Sequence, residues 1–135
     1  MSTKMFVNLP VKDLKKSMEF FDALGFSFNK QFTNNDAACM VISEHNYAML
    51  LTHEFFATFA KKPISDAHKS TEVLIALALE SKAAVDDMVT KAVEVGGNEP
   101  RPKQDHGFMF QRTFEDLDGH IWEPFWMDPA YVQKA

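Results

Sequence analysis

Two stretches of this sequence decide the fold, because the second repeats the plan of the first. Val11-Lys12-Asp13-Leu14 opens an amphipathic stretch that ends at Leu24-Gly25-Phe26. Leu79-Glu80-Ser81-Lys82 opens a second one that ends at Val95-Gly96-Gly97. In each stretch a polar capping residue precedes apolar residues at helical spacing, and glycine follows them. The pattern predicts one helix in each half of the chain.

Each half also closes in the same way, with a turn that leads into an apolar strand. His45-Asn46 precedes residues 47–52, and Asp118-Gly119 precedes residues 120–127. A unit of strand, helix and strands that occurs twice predicts two similar modules, placed face to face with a cleft between them. Module one is expected at about residues 1–53 and module two at about 71–128. The intervening residues 54–70 form a linker and candidate lid, and residues 129–135 a tail.

Alternation and turn residues predict the strands. In module one they are expected at residues 5–9, 26–32, 37–43 and 47–52, followed by a short aromatic helix at 54–60. In module two they are expected at residues 71–79, with both faces buried, and at 107–114 and 120–126, while residues 98–104 form either a short strand or an extended loop. Pro124 lies inside the last strand. Because proline lacks an N–H group, it requires an edge or a bulge there.

Composition limits the classes of function. The chain has 135 residues, enough for one domain, and its apolar fraction of 46% is too high for disorder. No apolar run approaches the ~20 residues of a membrane span. A net charge of −5 argues against a nucleic-acid partner. The lone Cys39 and the absence of a secretory signal favour the cytoplasm.

Stretches of sequence in both halves of the chain resemble one protein family. Asn8-Leu9-Pro10-Val11-Lys12-Asp13-Leu14 is similar to the opening module of the vicinal oxygen chelate superfamily, and Asp116-Leu117-Asp118-Gly119-His120-Ile121-Trp122-Glu123 to its closing module. That superfamily includes glyoxalase I, extradiol dioxygenases and the bleomycin-resistance proteins, and the chain most resembles small bacterial proteins described as predicted lactoylglutathione lyases. The resemblance implies an α+β fold of two βαβββ modules, whose curled mixed sheets form a cleft, usually completed by dimerisation.

The resemblance also implies a divalent metal, held in the enzymes by the first and last strands of each module. Carried over by position, the four ligands fall on Phe6, Leu50, Leu74 and Glu123. Only Glu123 has an oxygen to donate, so no metal is expected at the usual four-ligand site, and the cofactor stays unknown. His53 and His106 are the alternative partners for a metal on Glu123.

Several side chains are candidates to line the cleft. Glu123 is interpreted either as a catalytic base or metal ligand, or as a structural remnant bonded to a donor such as Asn8. Glu72 either pairs with Glu123 or is solvated. The aromatic residues of the closing hairpin form either core and dimer interface or the wall of a pocket for a planar ligand. The cleft-lining set is Phe6, Asn8, Leu50, Thr52, Glu72, Leu74, Phe108, Phe110, Trp122 and Phe125.

Two functions follow, both with a small-molecule ligand and a homodimer and neither with a membrane or nucleic acid. The first is a lyase or isomerase that abstracts a proton from a small oxygenated or thiol-adduct substrate. The second is a metal-free protein of the bleomycin-resistance type that binds and sequesters a small molecule. In a third hypothesis, the side chains of Phe6, Leu50 and Leu74 fill the cleft, and the chain serves mainly as a dimeric partner module.

Overall fold

The structure, a computed structural model, describes residues 2–131; residues 132–135 of the predicted tail lie outside the described part. It divides into two compact units, of which the first ends at Asp66 and the second begins at Ala67. The elements of the first unit are β1 (Met5–Val11), α1 (Leu14–Ala23), β2 (Ser27–Asn29), β3 (Ala37–Val41), β4 (Asn46–Thr52) and α2 (His53–Ala57). Those of the second are β5 (Leu74–Ala78), α3 (Lys82–Glu94), β6 (Gln104–Asp105), β7 (Met109–Gln111), β8 (Phe114–Glu115) and β9 (Ile121–Met127). Single 3-10 turns occur at Lys30–Phe32 and Pro129–Tyr131.

Each unit contains one open sheet of mixed strands. The first has the order β1-β4-β3-β2, with β1 and β4 parallel and the other pairs antiparallel. The second has the order β5-β9-β7-β6, with β5 and β9 parallel and β8 paired to β9. In both, the first strand of the unit forms an edge and pairs with the last long strand. The α+β class and the repeated strand–helix–strand plan are confirmed.

The helices begin where the capping residues predict. The Asp13 carboxylate accepts the Lys16 N–H at 3.1 Å, and the Ser81 hydroxyl accepts the Ala84 N–H at 3.0 Å. Helix α1 buries Phe20 and Phe21 and contacts β3 and β4. Helix α3 buries one apolar stripe, at Val85, Val89 and Ala92, and contacts β9, β7 and β8. The core of each unit therefore lies between its helix and one face of its sheet.

Pro124 lies in β9, which has β5 on one side and β7 and β8 on the other and so is not an edge strand. Gln111 pairs with Phe125 and Phe114 with Trp122, so residues 112 and 113 stand opposite residues 124 and 123 with no extra residue. The Arg112 N–H donates to the Pro124 carbonyl at 3.2 Å, and Pro124 has no N–H to donate in return. The prediction that Pro124 requires an edge or a bulge is therefore wrong, and the proline only leaves one donor out of the ladder.

Some elements are shorter than predicted. Only Ser27–Asn29 of residues 26–32 is a strand, because the Asn29 side chain accepts the Gln31 N–H and starts a 3-10 turn. Strand β5 is not buried on both faces: Leu77 is buried, whereas Leu74 is 53% exposed. Within residues 2–131, no helix has the length and apolarity needed to cross a bilayer.

Candidate functional site

The register of β1 on β4 separates the two faces of the first sheet. Leu9 pairs with Leu50, and both are buried in the core. Phe6 pairs with Tyr47 and stacks on its ring at a centroid distance of 4.6 Å, so these two share the opposite face. Because side chains alternate along a strand, Asn8 lies on that opposite face too. We call it the open face of the first sheet, since Phe6 is 48% exposed there.

A cavity of about 370 Å³ lies on this open face. It forms because α2 follows β4 directly and contacts both β1 and β4. The Thr52 hydroxyl accepts the Phe55 N–H at 3.2 Å and begins the helix, which places Thr52 at a cap. The Phe55 and Phe59 rings meet edge to face at 5.1 Å. The residues that line the cavity are Asn8, Leu51, Phe56, Phe59 and Ala60.

Four of the five lining residues are apolar, and none carries a charge. The Asn8 side chain is the one polar group among them, and it makes no hydrogen bond within residues 2–131. A primary amide both donates and accepts hydrogen bonds, so it can meet either kind of ligand group. An apolar hollow of this size with a single polar group is typical of small-molecule sites.

Glu123 lies on the corresponding face of the second sheet. In the parallel register Leu74 pairs with Ile121 and Ala76 with Glu123, so Leu74 and Glu123 are diagonal neighbours on one face. Glu123 is half-buried, and its carboxylate accepts no hydrogen bond from the described residues. Phe125 follows on the same face. The register thus places Leu74, Glu123 and Phe125 on one face of the second sheet, with Glu123 between the other two.

The donor set does not fit the divalent metal that the resemblance implies. Phe6 and Leu74 are the equivalent positions of the two first strands in the resemblance. Phe6 pairs with Tyr47 and Leu74 with Ile121, and the residues two positions after these partners are Met49 and Glu123. Met49 therefore corresponds to Glu123, whereas Leu50 points into the core. Phe, Leu and Met offer no oxygen or nitrogen ligand. Within the described residues no three His, Cys, Asp or Glu side chains are placed to share a metal ion.

The remaining predicted residues are distributed elsewhere. Trp122 is fully buried and Phe110 is 3% exposed, so both belong to the core. Phe108 stacks on Tyr131 at 4.7 Å, and the His106 ring lies against Phe108 at 6.2 Å. Glu72 and His53 are exposed, Glu72 ahead of β5 and His53 at the first position of α2.

The turn before β9 is held by a buried carboxylate. Asp116 accepts the Trp122 indole N–H at 3.0 Å through Oδ2, and the backbone N–H groups of Asp118 and His120 at 2.9 and 3.0 Å through Oδ1. Burial raises the pKa of Asp116, while the charge of His120 and these hydrogen bonds act in the opposite direction. This turn sets the start of the strand that carries Glu123.

Sequence reasoning did not identify the cluster of charged side chains around Arg112. Arg112 is only 15% exposed and donates to both oxygens of Glu99, at 2.9 and 2.8 Å, and to Asp86 at 2.9 Å. This hydrogen bonding lowers the pKa of Glu99 and raises that of Arg112. Both carboxylates lie far from residue 112 in sequence, so no local signal identifies them. An open groove of about 540 Å³ lies beside this cluster.

Comparison with known proteins supports the superfamily. Residues 3–43 match the family model described as bleomycin resistance protein-like N-terminal. The fold is that of the vicinal oxygen chelate superfamily. A glyoxalase-related enzyme from Fulvimarina pelagi superposes with a TM-score of 0.79 at 17% identity, over 100% of this chain and 94% of that one. A glyoxalase/bleomycin resistance protein/dioxygenase family enzyme from Burkholderia phytofirmans PsJN gives 0.76 at 15% identity, over 93% and 99%.

A further structure, that of hypothetical protein SA1046 from S. aureus, gives a TM-score of 0.78 at 28% identity, over 93% of this chain and 95% of that one. No curated protein matches the sequence. Proteins with the vicinal oxygen chelate fold are named both as enzymes and as resistance proteins, so the fold alone does not decide between catalysis and binding. That decision depends on the side chains of the open faces.

Proposed function

We propose that the chain is a metal-independent binding protein of the vicinal oxygen chelate superfamily, which holds a small apolar molecule in the cavity beside Asn8. The observation that carries this proposal is the cavity itself, with walls formed by Leu51, Phe56 and Phe59. Its volume of about 370 Å³ falls within the ~300–1,000 Å³ of small-molecule sites. Apolar walls favour binding by removing ligand surface from water, which requires no metal.

The chemistry at the usual metal positions supports the same conclusion. A ligand held by a chelated metal needs several oxygen or nitrogen donors, and Phe6, Met49 and Leu74 provide none. The aromatic and aliphatic side chains at these positions extend the apolar surface instead. Recognition then depends on shape and on the few polar groups present.

The proposal is tested by ligand-dependent thermal stabilisation in the presence of EDTA, with naphthalene as the probe. Binding to the folded form alone raises stability by RT ln(1 + [L]/Kd), about 1.4 kcal/mol at ten times Kd. Phe59→Ala removes a wall and weakens the stabilisation, whereas Phe32→Ala, which truncates another exposed Phe outside the cavity, leaves it unchanged. Stabilisation that appears only after Ni²⁺, Zn²⁺ or Mn²⁺ is added contradicts the proposal.

A second candidate rests on Glu123, a half-buried carboxylate on an otherwise apolar face. In this candidate the chain is a lyase or isomerase, and Glu123 takes a carbon-bound proton from a small oxygenated or thiol-adduct substrate. The hemithioacetal of glutathione with methylglyoxal is a suitable probe. Turnover that is lost in Glu123→Gln, with the naphthalene shift retained, establishes this activity in place of simple sequestration.

We also propose a homodimer in the cytoplasm. Apolar side chains are exposed on one edge strand of each sheet, with Met5 at 61% on β1 and Leu74 at 53% on β5. Exposed apolar surface of this kind is typical of association sites. Sedimentation equilibrium should give twice the chain mass, and Leu74→Lys should shift it toward the monomer. The single buried thiol, Cys39, fits a reducing compartment.

A further inference from the structure

The composition of the cavity wall restricts the chemistry of the ligand. We infer that the first unit binds an uncharged, planar aromatic molecule bearing one amide-like group, and that Asn8 is the residue that selects it. This inference rests on the proposed function, because it concerns the same cavity. It adds the class of ligand and the side chain that discriminates between members of that class.

The flatness of the ligand follows from the two aromatic walls. Phe56 and Phe59 are both contributed by the short segment around α2, and the Phe59 ring, which is 69% exposed, meets Phe55 edge to face. Aromatic side chains present flat faces with a negative quadrupole, and a second ring packs on them in offset or edge-to-face geometry. An aliphatic ligand of equal volume lacks these contacts.

The absence of ligand charge follows from the wall composition. None of the five lining residues is ionisable, so a carboxylate or ammonium group placed inside would lose water and gain no opposite charge, with only the neutral Asn8 amide as a partner. Lys61 and Lys62 follow Ala60 directly in sequence, and both are exposed. Since neither lines the cavity, we expect no clamp for an anion there.

The amide-like group follows from Asn8. Its side chain has both a donor and an acceptor and makes no hydrogen bond inside the described chain. A primary amide on the ligand can accept a hydrogen bond from the Asn8 NH₂ group and donate one to the Asn8 carbonyl oxygen at the same time, as in a cyclic amide dimer. A buried ligand group that finds no partner is penalised, so the same residue rejects rings whose polar group has the wrong geometry.

Three naphthalene derivatives of similar shape test the inference, measured by calorimetric titration in EDTA. They are naphthalene itself, 2-naphthamide and 2-naphthoate. With the unmodified protein, we expect 2-naphthamide to bind about 5–10-fold more tightly than naphthalene, as one or two net hydrogen bonds provide. We expect 2-naphthoate to bind at least ~10-fold more weakly than 2-naphthamide, because its charge is not matched.

Two variants separate recognition from binding. Asn8→Leu should abolish the preference for the amide, so that 2-naphthamide binds no more tightly than naphthalene. Phe59→Ala should weaken all three ligands together. Asn8 lies on the open face of β1, outside the core, and circular dichroism checks that Asn8→Leu folds.

Each result decides something different. If 2-naphthoate binds as tightly as 2-naphthamide, or if Asn8→Leu keeps the preference for the amide, the inference is wrong while the proposed binding function stands. If none of the three binds to the unmodified protein and calorimetry shows no heat at millimolar ligand, the proposed function itself fails.

Discussion

Replacement of Asp116 should cost this protein a large part of its stability. Asp116 is 5% exposed and serves as the acceptor for three N–H groups, two from the backbone of its own turn and one from the Trp122 indole. Asp116→Ala leaves all three without this acceptor. An unsatisfied buried donor costs ~1–3 kcal/mol, and partial access of water to the turn reduces the sum, so we expect a loss of about 3–5 kcal/mol.

Asp116→Asn is the matched control, because it keeps the shape of the side chain. Its amide oxygen can still accept the two backbone N–H groups, but its NH₂ then faces the Trp122 indole N–H. Only one of the three interactions is lost, and we expect a cost of about 1–2 kcal/mol. Urea unfolding followed by far-ultraviolet circular dichroism measures both variants, with an unchanged m-value as evidence that the denatured state is the same.

The reasoning is refuted if Asp116→Ala lowers the free energy of unfolding by less than ~1 kcal/mol, or if the Asn and Ala variants are equally unstable. The first result would mean that the three donors find other partners. The second would mean that the negative charge, rather than the number of acceptors, holds the turn.

Three further predictions follow from local geometry. Gly119→Ala should destabilise the fold by about 2–3 kcal/mol, because φ is +84° and an added Cβ would meet backbone at 2.8 Å. Gly25→Ala is the control: φ is +100° but the added Cβ meets no atom, so the cost should be only about 1 kcal/mol, with both variants measured by thermal unfolding. Since Arg112 lowers the pKa of Glu99, this carboxylate stabilises the folded state above about pH 4.5, and the stabilisation is lost as the pH falls. Arg112→Met should therefore weaken the dependence of the free energy of unfolding on pH in the acid range, measured by urea titrations at several pH values. An unchanged pH dependence contradicts this. Burial raises the pKa of the Cys39 thiol, so a disulfide reagent should modify native protein only at the rate of unfolding, and rapid labelling would disprove this.

The fold was predictable from sequence because its signals are local and occur twice. Asp13 and Ser81 cap the two helices at the expected positions, and both closing strands follow the expected turns. These signals depend on backbone chemistry within a few residues. Pro124 is the exception, because the expected edge or bulge is absent: β9 has strands on both sides, and its register with β7 and β8 is continuous.

The candidate site was less predictable because it depends on the register and on distant contacts. Carrying the metal ligands over by position points to Leu50, whereas the pairing of β1 with β4 places Met49 and Leu51 on the open face. A shift of one residue exchanges the faces of a strand, so a small counting error moves a side chain from cavity to core. For the same reason alternation cannot tell that Trp122 packs inward while Glu123 does not. The cavity itself forms only when α2 contacts β1, a contact between residues far apart in sequence.

The account depends most on where a ligand binds in the absence of metal. Backbone amide chemical shifts of protein treated with EDTA, followed by NMR during titration with 2-naphthamide, test this directly. We expect the largest changes at Asn8, Leu51 and residues 56–60. Changes centred instead on Glu123 and Leu74, or changes that require an added divalent cation, would contradict the central claim.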